Sequence, residues 1–119
     1  MIATRYGVDI EPVCADEAGK PGLLAEAEII LAAARAGVQV ASSQQLAGAG
    51  RLLAAADLNA VPPAGIQGLG LLDDRQALPA GSGRAIGIGA LAVGQIKYQT
   101  QRRLLQRMLE GTPVCLDFR

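Results

Sequence analysis

The stretch Ala54–Gly70, AAADLNAVPPAGIQGLG, decides how this 119-residue chain is read. An apolar run ends at Asp57, and Asn59, Pro62-Pro63, Gly65 and Gly68 follow at once. The pattern predicts a buried strand whose carboxyl end opens into a stiff loop, because paired prolines fix φ and withhold two backbone donors. In open α/β sheets ligands bind just outside the carboxyl ends of strands. A loop of one fixed shape at that place suits a wall against a flat ring. On spacing alone the plainer reading, a structural turn between two elements, ranks first.

Outward from this stretch, short strands and helices alternate. Arg5-Tyr6-Gly7 reads as a helix end, and Gly7–Val13, with Val8, Ile10 and Val13, as a short strand. Asp16–Ala27 holds a short helix that starts at Pro21-Gly22. Glu28–Arg35 (EIILAAAR) is a continuous apolar run of strand length, the pattern of a sheet buried on both faces. Gly37 breaks it. Ser42–Ala47 reads as a helix with Ser42 as N-cap, ended by Gly48-Ala49-Gly50. Arg51–Leu58 is the next strand, Leu71–Gly83 a polar surface insertion, and Arg84–Ile88 a last short strand. Ala90–Glu110 is the longest helix. Val93, Ile96, Thr100, Leu104 and Met108 form its apolar stripe, widened by Leu105 and Leu109. Gly111-Thr112-Pro113 ends it. The alternation predicts an α/β fold, a parallel sheet of about four short strands with flanking helices, in a single domain over 1–119.

Composition removes several chemistries. The chain has no histidine, which excludes a Ser-His-Asp triad, a Cys-His pair and His-ligated zinc. An enzyme built from it works without an imidazole, as in hydride transfer, where a bound cofactor carries the chemistry. Formal charge is zero, so the overall balance favours neither nucleic acid nor an anionic membrane as partner. No apolar run reaches the roughly 20 residues of a membrane span, and MIATRYGVDI has no signal-peptide pattern. Cys14 and Cys115 lie far apart without a CxxC, which reads as buried thiols in a reducing compartment. Only Tyr6, Tyr98 and Phe118 are aromatic, in keeping with closely packed layers of helix on sheet.

Two segments, DLNAVPPAGIQG (57–68) and GIGALAVGQIK (87–97), stand in the order strand, loop, short insertion, strand, long helix. In that order they resemble the NAD(P)-dependent methylene-tetrahydromethanopterin dehydrogenases of methylotrophic bacteria, and the resemblance extends back through Arg5–Gly48. It implies hydride transfer from the methylene bridge of a tetrahydromethanopterin-type C1 carrier to NADP or NAD. It also implies a cytoplasmic homo-oligomer whose sheet is part of a Rossmann-like domain. This chain would then be its C-terminal half, plus the helix returning to the pterin side. The strand at Val8–Val13 would be the third of that domain and Glu28–Arg35 the fourth. The first strand and its glycine loop would lie upstream of Met1, so that the chain alone is inactive. Alternatives are a methylene-tetrahydrofolate-type dehydrogenase and a non-catalytic interaction module derived from such a sheet.

By the same resemblance Lys97 matches the lysine of the family's GALxxGxxK motif, placed at the pterin and nicotinamide site, against the plain reading of a solvated lysine. Asn59 would hydrogen-bond the nicotinamide carboxamide or a pterin edge, or else serve the turn. Asp57 is an acceptor at the same rim, or else a loop-stabilising carboxylate. Pro62, Pro63, Gly65 and Ile66 would form the ring-facing wall. Ala34 and Gly37, in the small-residue loop after Glu28–Arg35, would let backbone approach the cofactor. Gly87–Ala92 matches GxGxxA, a dinucleotide fingerprint. No further strand with an acidic end follows its helix, so close helix–strand packing is the better reading.

Overall fold

Leu46, Leu52 and Ile66 are the largest side chains wholly removed from solvent, and each arrives from a different segment of the chain. The computed structural model describes residues 5–111. Its elements are α1 Lys20–Glu26, β1 Ile29–Ala32, α2 Ser43–Ala47, β2 Ala54–Asp57, β3 Asp74–Ala77, β4 Ile86–Ile88 and α3 Ala90–Leu109. The four strands form one sheet in the order β1-β2-β4-β3. β1, β2 and β4 run parallel, and β3 pairs antiparallel with β4. The α/β class is as the sequence predicts.

One face of the sheet carries the core. Ile30 and Ala32 of β1 and Ala55 of β2 meet Leu24 of α1, Leu46 of α2, and Leu52, Ile66, Leu69, Leu78 and Ala85 from the connections. α2 is short, and its start is set by a full capping box. Ser42 Oγ accepts the Gln45 N–H at 3.2 Å, and Gln45 Oε1 accepts the Ser42 N–H at 2.9 Å. This holds Leu46 over the sheet. The insertion returns onto the same helix end: the Gly81 N–H donates to the Leu46 carbonyl at 3.0 Å and the Ser82 N–H to that of Ala49 at 3.1 Å.

Five expectations are corrected. Residues 8–16 form no strand and are exposed. No described strand lies beside Gly7–Val13, and an unpaired run has no ladder to join. The expected third strand of the domain falls with it. Glu28–Arg35 shortens to β1, whose alternate residues Ile29 and Leu31 are 73% and 63% exposed, so this strand is not buried on both faces. The insertion at Leu71–Gly83 contains β3, which has no apolar alternation to betray it: Asp74, Arg75, Gln76 and Ala77 are all exposed. The stripe of α3 is not core. Ala92 is the buried residue of that helix, and Ile96, Leu105, Met108 and Leu109 are exposed. Cys14 is an exposed free thiol, not a buried one; Cys115 and Phe118 lie outside the described residues. No described helix is long and apolar enough to cross a membrane.

Because Leu46 is fully enclosed, Leu46→Ala is expected to cost about 3 kcal/mol in urea denaturation. Leu109→Ala, at a site 87% exposed, should stay within about 0.5 kcal/mol.

Candidate functional site

The loop that follows β2 is ordered by two side chains the sequence had singled out. Asp57 and Asn59 are only 2% and 5% exposed. Asp57 Oδ1 accepts the Asn59 N–H at 2.8 Å, and its Oδ2 accepts the Ile66 N–H at 3.1 Å across nine residues of chain. Asn59 repeats the motif two residues on. Its Oδ1 accepts the Val61 N–H at 3.0 Å, while its Nδ2 donates to the Pro63 carbonyl at 3.1 Å. Both are Asx-turns, in which a short side chain stands in for backbone. Asn59 retains one amide hydrogen and a further lone pair on Oδ1. The Pro62–Pro63 peptide within the loop is cis.

Gly65 is required by Asp57. A Cβ on Gly65 would lie 2.7 Å from Asp57 Oδ1, closer than any side chain tolerates. With the loop drawn in, the Gly65 carbonyl accepts the N–H groups of Val40 and Ala41 at 2.7 and 3.0 Å, and the Gln67 N–H donates to the Ala41 carbonyl at 2.9 Å. Ala41 and Ile66 thus form a single parallel bridge, and Gln67 Oε1 accepts the Ser43 N–H at 2.8 Å. Ile66 drops into the core. Val40, Ala41 and Gln67 were not singled out from sequence; nothing in their residue types signals a bridge between Ala41 and Ile66, 25 residues apart.

The loops after β1 and β2 meet. Gly37 takes φ 77°, and a Cβ there would lie 3.5 Å from the Pro62 carbonyl. Gly37, Asp57, Asn59, Pro62, Pro63, Gly65 and Ile66 therefore belong to one cluster at the carboxyl ends of two adjacent parallel strands, with Ala34 exposed beside it. Its inner half is spent on holding the loop. Its outer half presents Leu58, Val61, Pro62 and Pro63 to solvent, an apolar surface. Lys97 lies apart, exposed on α3 about two turns from its start. Ile96 beside it, a member of the expected apolar stripe, is itself exposed. Among the described residues no group of three His, Cys, Asp or Glu stands together as a metal site.

The GxGxxA segment is occupied by packing. Leu69 fills the space where a Cβ on Gly87 would stand, and the Gly70 carbonyl and Leu71 backbone fill that of Gly89. The N–H groups of Leu91 and Ala92, at the opening of α3, donate to the Leu71 carbonyl at 2.9 and 3.3 Å. These are the amides a phosphate would need at a helix start, and they are already satisfied.

The fold and rim define an α/β chain with a mostly parallel sheet, whose strand-end loops are locked into one ordered ledge. No family model matches the chain. It is 45% identical over 117 residues to the NAD(P)-dependent methylenetetrahydromethanopterin dehydrogenase of Methylorubrum extorquens, an alignment that covers 97% of this chain and 39% of that enzyme. The resemblance that the two motifs carry is borne out along nearly the whole chain, which spans about two fifths of the length of the relative.

The loop geometry predicts that Asp57→Asn, which sets an amide N–H₂ against a backbone N–H, costs about 1–3 kcal/mol. Gly65→Ala should destabilise through the clash with Asp57. In both variants the Ile66 amide should exchange with solvent faster than in the parent, read by hydrogen exchange.

Proposed function

We propose that this chain is part of an oxidoreductase that transfers hydride from a methylene-tetrahydromethanopterin-type C1 carrier to NAD(P). The observation that supports the reading is the 45% identity to such an enzyme over 97% of the chain, running through the ledge after β2. The nicotinamide, when bound, accepts the hydride at its ring. The methylene carbon gives up two electrons and one hydrogen, and the product is the methenyl cation. No protein base has to take a proton, which agrees with a chain that has no histidine. What the protein supplies is position and field.

The residues fit the ring end of such a cofactor. On this reading Leu58, Val61, Pro62 and Pro63, all exposed, would form a stiff apolar wall against the ring, and Asn59 would hydrogen-bond the nicotinamide carboxamide or a pterin edge. Ala34 and Gly37 leave room for close approach from the neighbouring loop. The phosphate end is a poor fit here, because the amides opening α3 are taken by Leu71. On this reading the pyrophosphate is held by polypeptide beyond these 119 residues, and the chain by itself turns over no substrate. Lys97 acts through charge: its ammonium would orient the anionic pterin or tune the charge near the methylene carbon as hydride leaves. Either role requires α3 to lie against the other part of the enzyme.

Two measurements check this. Calorimetry on the chain alone should detect no NADP or NAD binding at micromolar concentration. A chimera with this chain in place of the matched segment of the M. extorquens enzyme should reduce NADP or NAD with methylene-tetrahydromethanopterin. In it, Lys97→Ala should lower kcat at least tenfold, with Lys97→Arg retaining most activity and thermal stability unchanged in both. Equal kcat for all three would remove Lys97 from the site.

A further inference from the structure

Arg75 is the one non-glycine residue with a left-handed backbone among the described residues, at φ 57°. An L side chain in that region crowds its own backbone, so the conformation persists only where the surroundings enforce it. The register between β3 and β4 slips at this residue, between Asp74 and Gln76. A bulge of this kind turns a side chain out of the regular alternation of its strand.

The side chain so turned lines an open hollow of about 400 Å³. Ala77, Pro79, Ala80 and Ile86 supply its apolar lining, and Arg84 lines it from the β4 side. Ala77 and Ile86 are register partners. Their neighbours Leu78 and Ala85 belong to the core, so by strand alternation this pair points to the other face of the sheet. The root of Arg84 is held. The Leu78 N–H donates to the Ala85 carbonyl at 2.8 Å, and the Gly83 N–H to that of Ala80 at 3.0 Å. The hollow stands at the amino end of β4, which runs parallel to β2, and so at the opposite end of the sheet from the ledge.

Its charge is all of one sign. Among the described residues no acidic side chain lines the hollow, and Arg84 enters no ion pair. Arg75 meets Asp74 through Nε at 3.5 Å, a contact that leaves its two terminal nitrogens for another acceptor. We propose that this hollow is a ligand site separate from the ledge, for a phosphate monoester carried on a small apolar body. A phosphate monoester brings close to two negative charges at neutral pH and three acceptor oxygens, which matches two guanidinium forks. A carboxylate would balance one of them. The apolar body would cover Ala77 and Ile86, the second of which is partly open to solvent in the chain alone.

The probes are phenyl phosphate, inorganic phosphate and phenol, each titrated into the chain while its amide resonances are followed by NMR. Phenyl phosphate should move the amides of Ala77, Arg84 and Ile86 and leave those of Asn59 and Val61 on the ledge in place. Inorganic phosphate should bind about tenfold more weakly, and Arg84→Gln should weaken phenyl phosphate by about the same factor. Phenol should not bind at these concentrations. Arg75→Gly is the sharper variant, because a left-handed backbone suits glycine. Its melting temperature should equal or exceed that of the parent while the affinity for phenyl phosphate falls. Full affinity in both variants, equal affinity for phenol or inorganic phosphate, or shifts on the ledge instead of the hollow would each overturn the site. So would shifts that vanish in the chimera described above. The site does not rest on the proposed reaction: a chimera that binds phenyl phosphate here and transfers no hydride would sink the reaction and keep the site.

Discussion

The Asp57 carboxylate is the constraint on which the rest of the ledge depends. It stands at the last residue of β2 and binds one N–H two residues on and another nine residues on, so a single group closes the whole loop. Hydrogen bonds to a charged acceptor contribute about 1.5–3 kcal/mol each, enough to hold an irregular loop that has little backbone pairing of its own. Everything beyond follows from that closure. Gly65 fits because only a glycine clears the carboxylate. Its carbonyl then faces Val40 and Ala41, and Ile66 falls into the centre of the core. A side chain that a sequence reader would weigh as a ligand acceptor is, in the folded chain, the clasp that keeps the loop after β2 in shape.

Much of the fold was legible because local signals and tertiary packing agree. Ser42 announces α2, the Pro21-Gly22 start announces α1, and Gly48 stands where α2 stops, whereas Gly37 lies five residues past the end of β1. What could not be read depends on partners. β3 exists because β4 offers an edge, not because DRQA prefers to be extended. Gly7–Val13 has the alternation of a strand but no described neighbour. The apolar run at β1 reads as doubly buried, and it would be so only if another element covered Ile29 and Leu31. At the site, the positions of Asp57, Asn59 and Gly65 at a strand end were legible, whereas their mutual hydrogen bonds were not. These depend on the loop doubling back by nine residues. The exposure of the α3 stripe was hidden for the same reason as that of β1: a helix with an apolar stripe looks buried from sequence whether or not anything packs on it.

The Gly87–Ala92 segment shows why a motif must be read with its surroundings. Its spacing is that of a nucleotide loop, and it does lie between a strand and a helix. The glycines are nevertheless spent on Leu69, Gly70 and Leu71, and the helix-opening amides on a carbonyl of the preceding insertion. Small residues permit close approach of backbone, and the neighbour that approaches can be the protein itself.

That close approach also sets the bearing of α3. No residue of the helix beyond Ala92 is buried, so it is gripped where Gly89 meets Gly70 and where the Leu71 carbonyl takes two of its amides. At 1.5 Å per residue its 20 residues reach roughly 30 Å from that grip. A turn of about 10° there would carry Leu109 some 5 Å. The insertion between β2 and β4 therefore helps set the direction in which α3 leaves the sheet, and at this length a small change of angle at the Gly70–Leu71 backbone is a large change of position at Leu109.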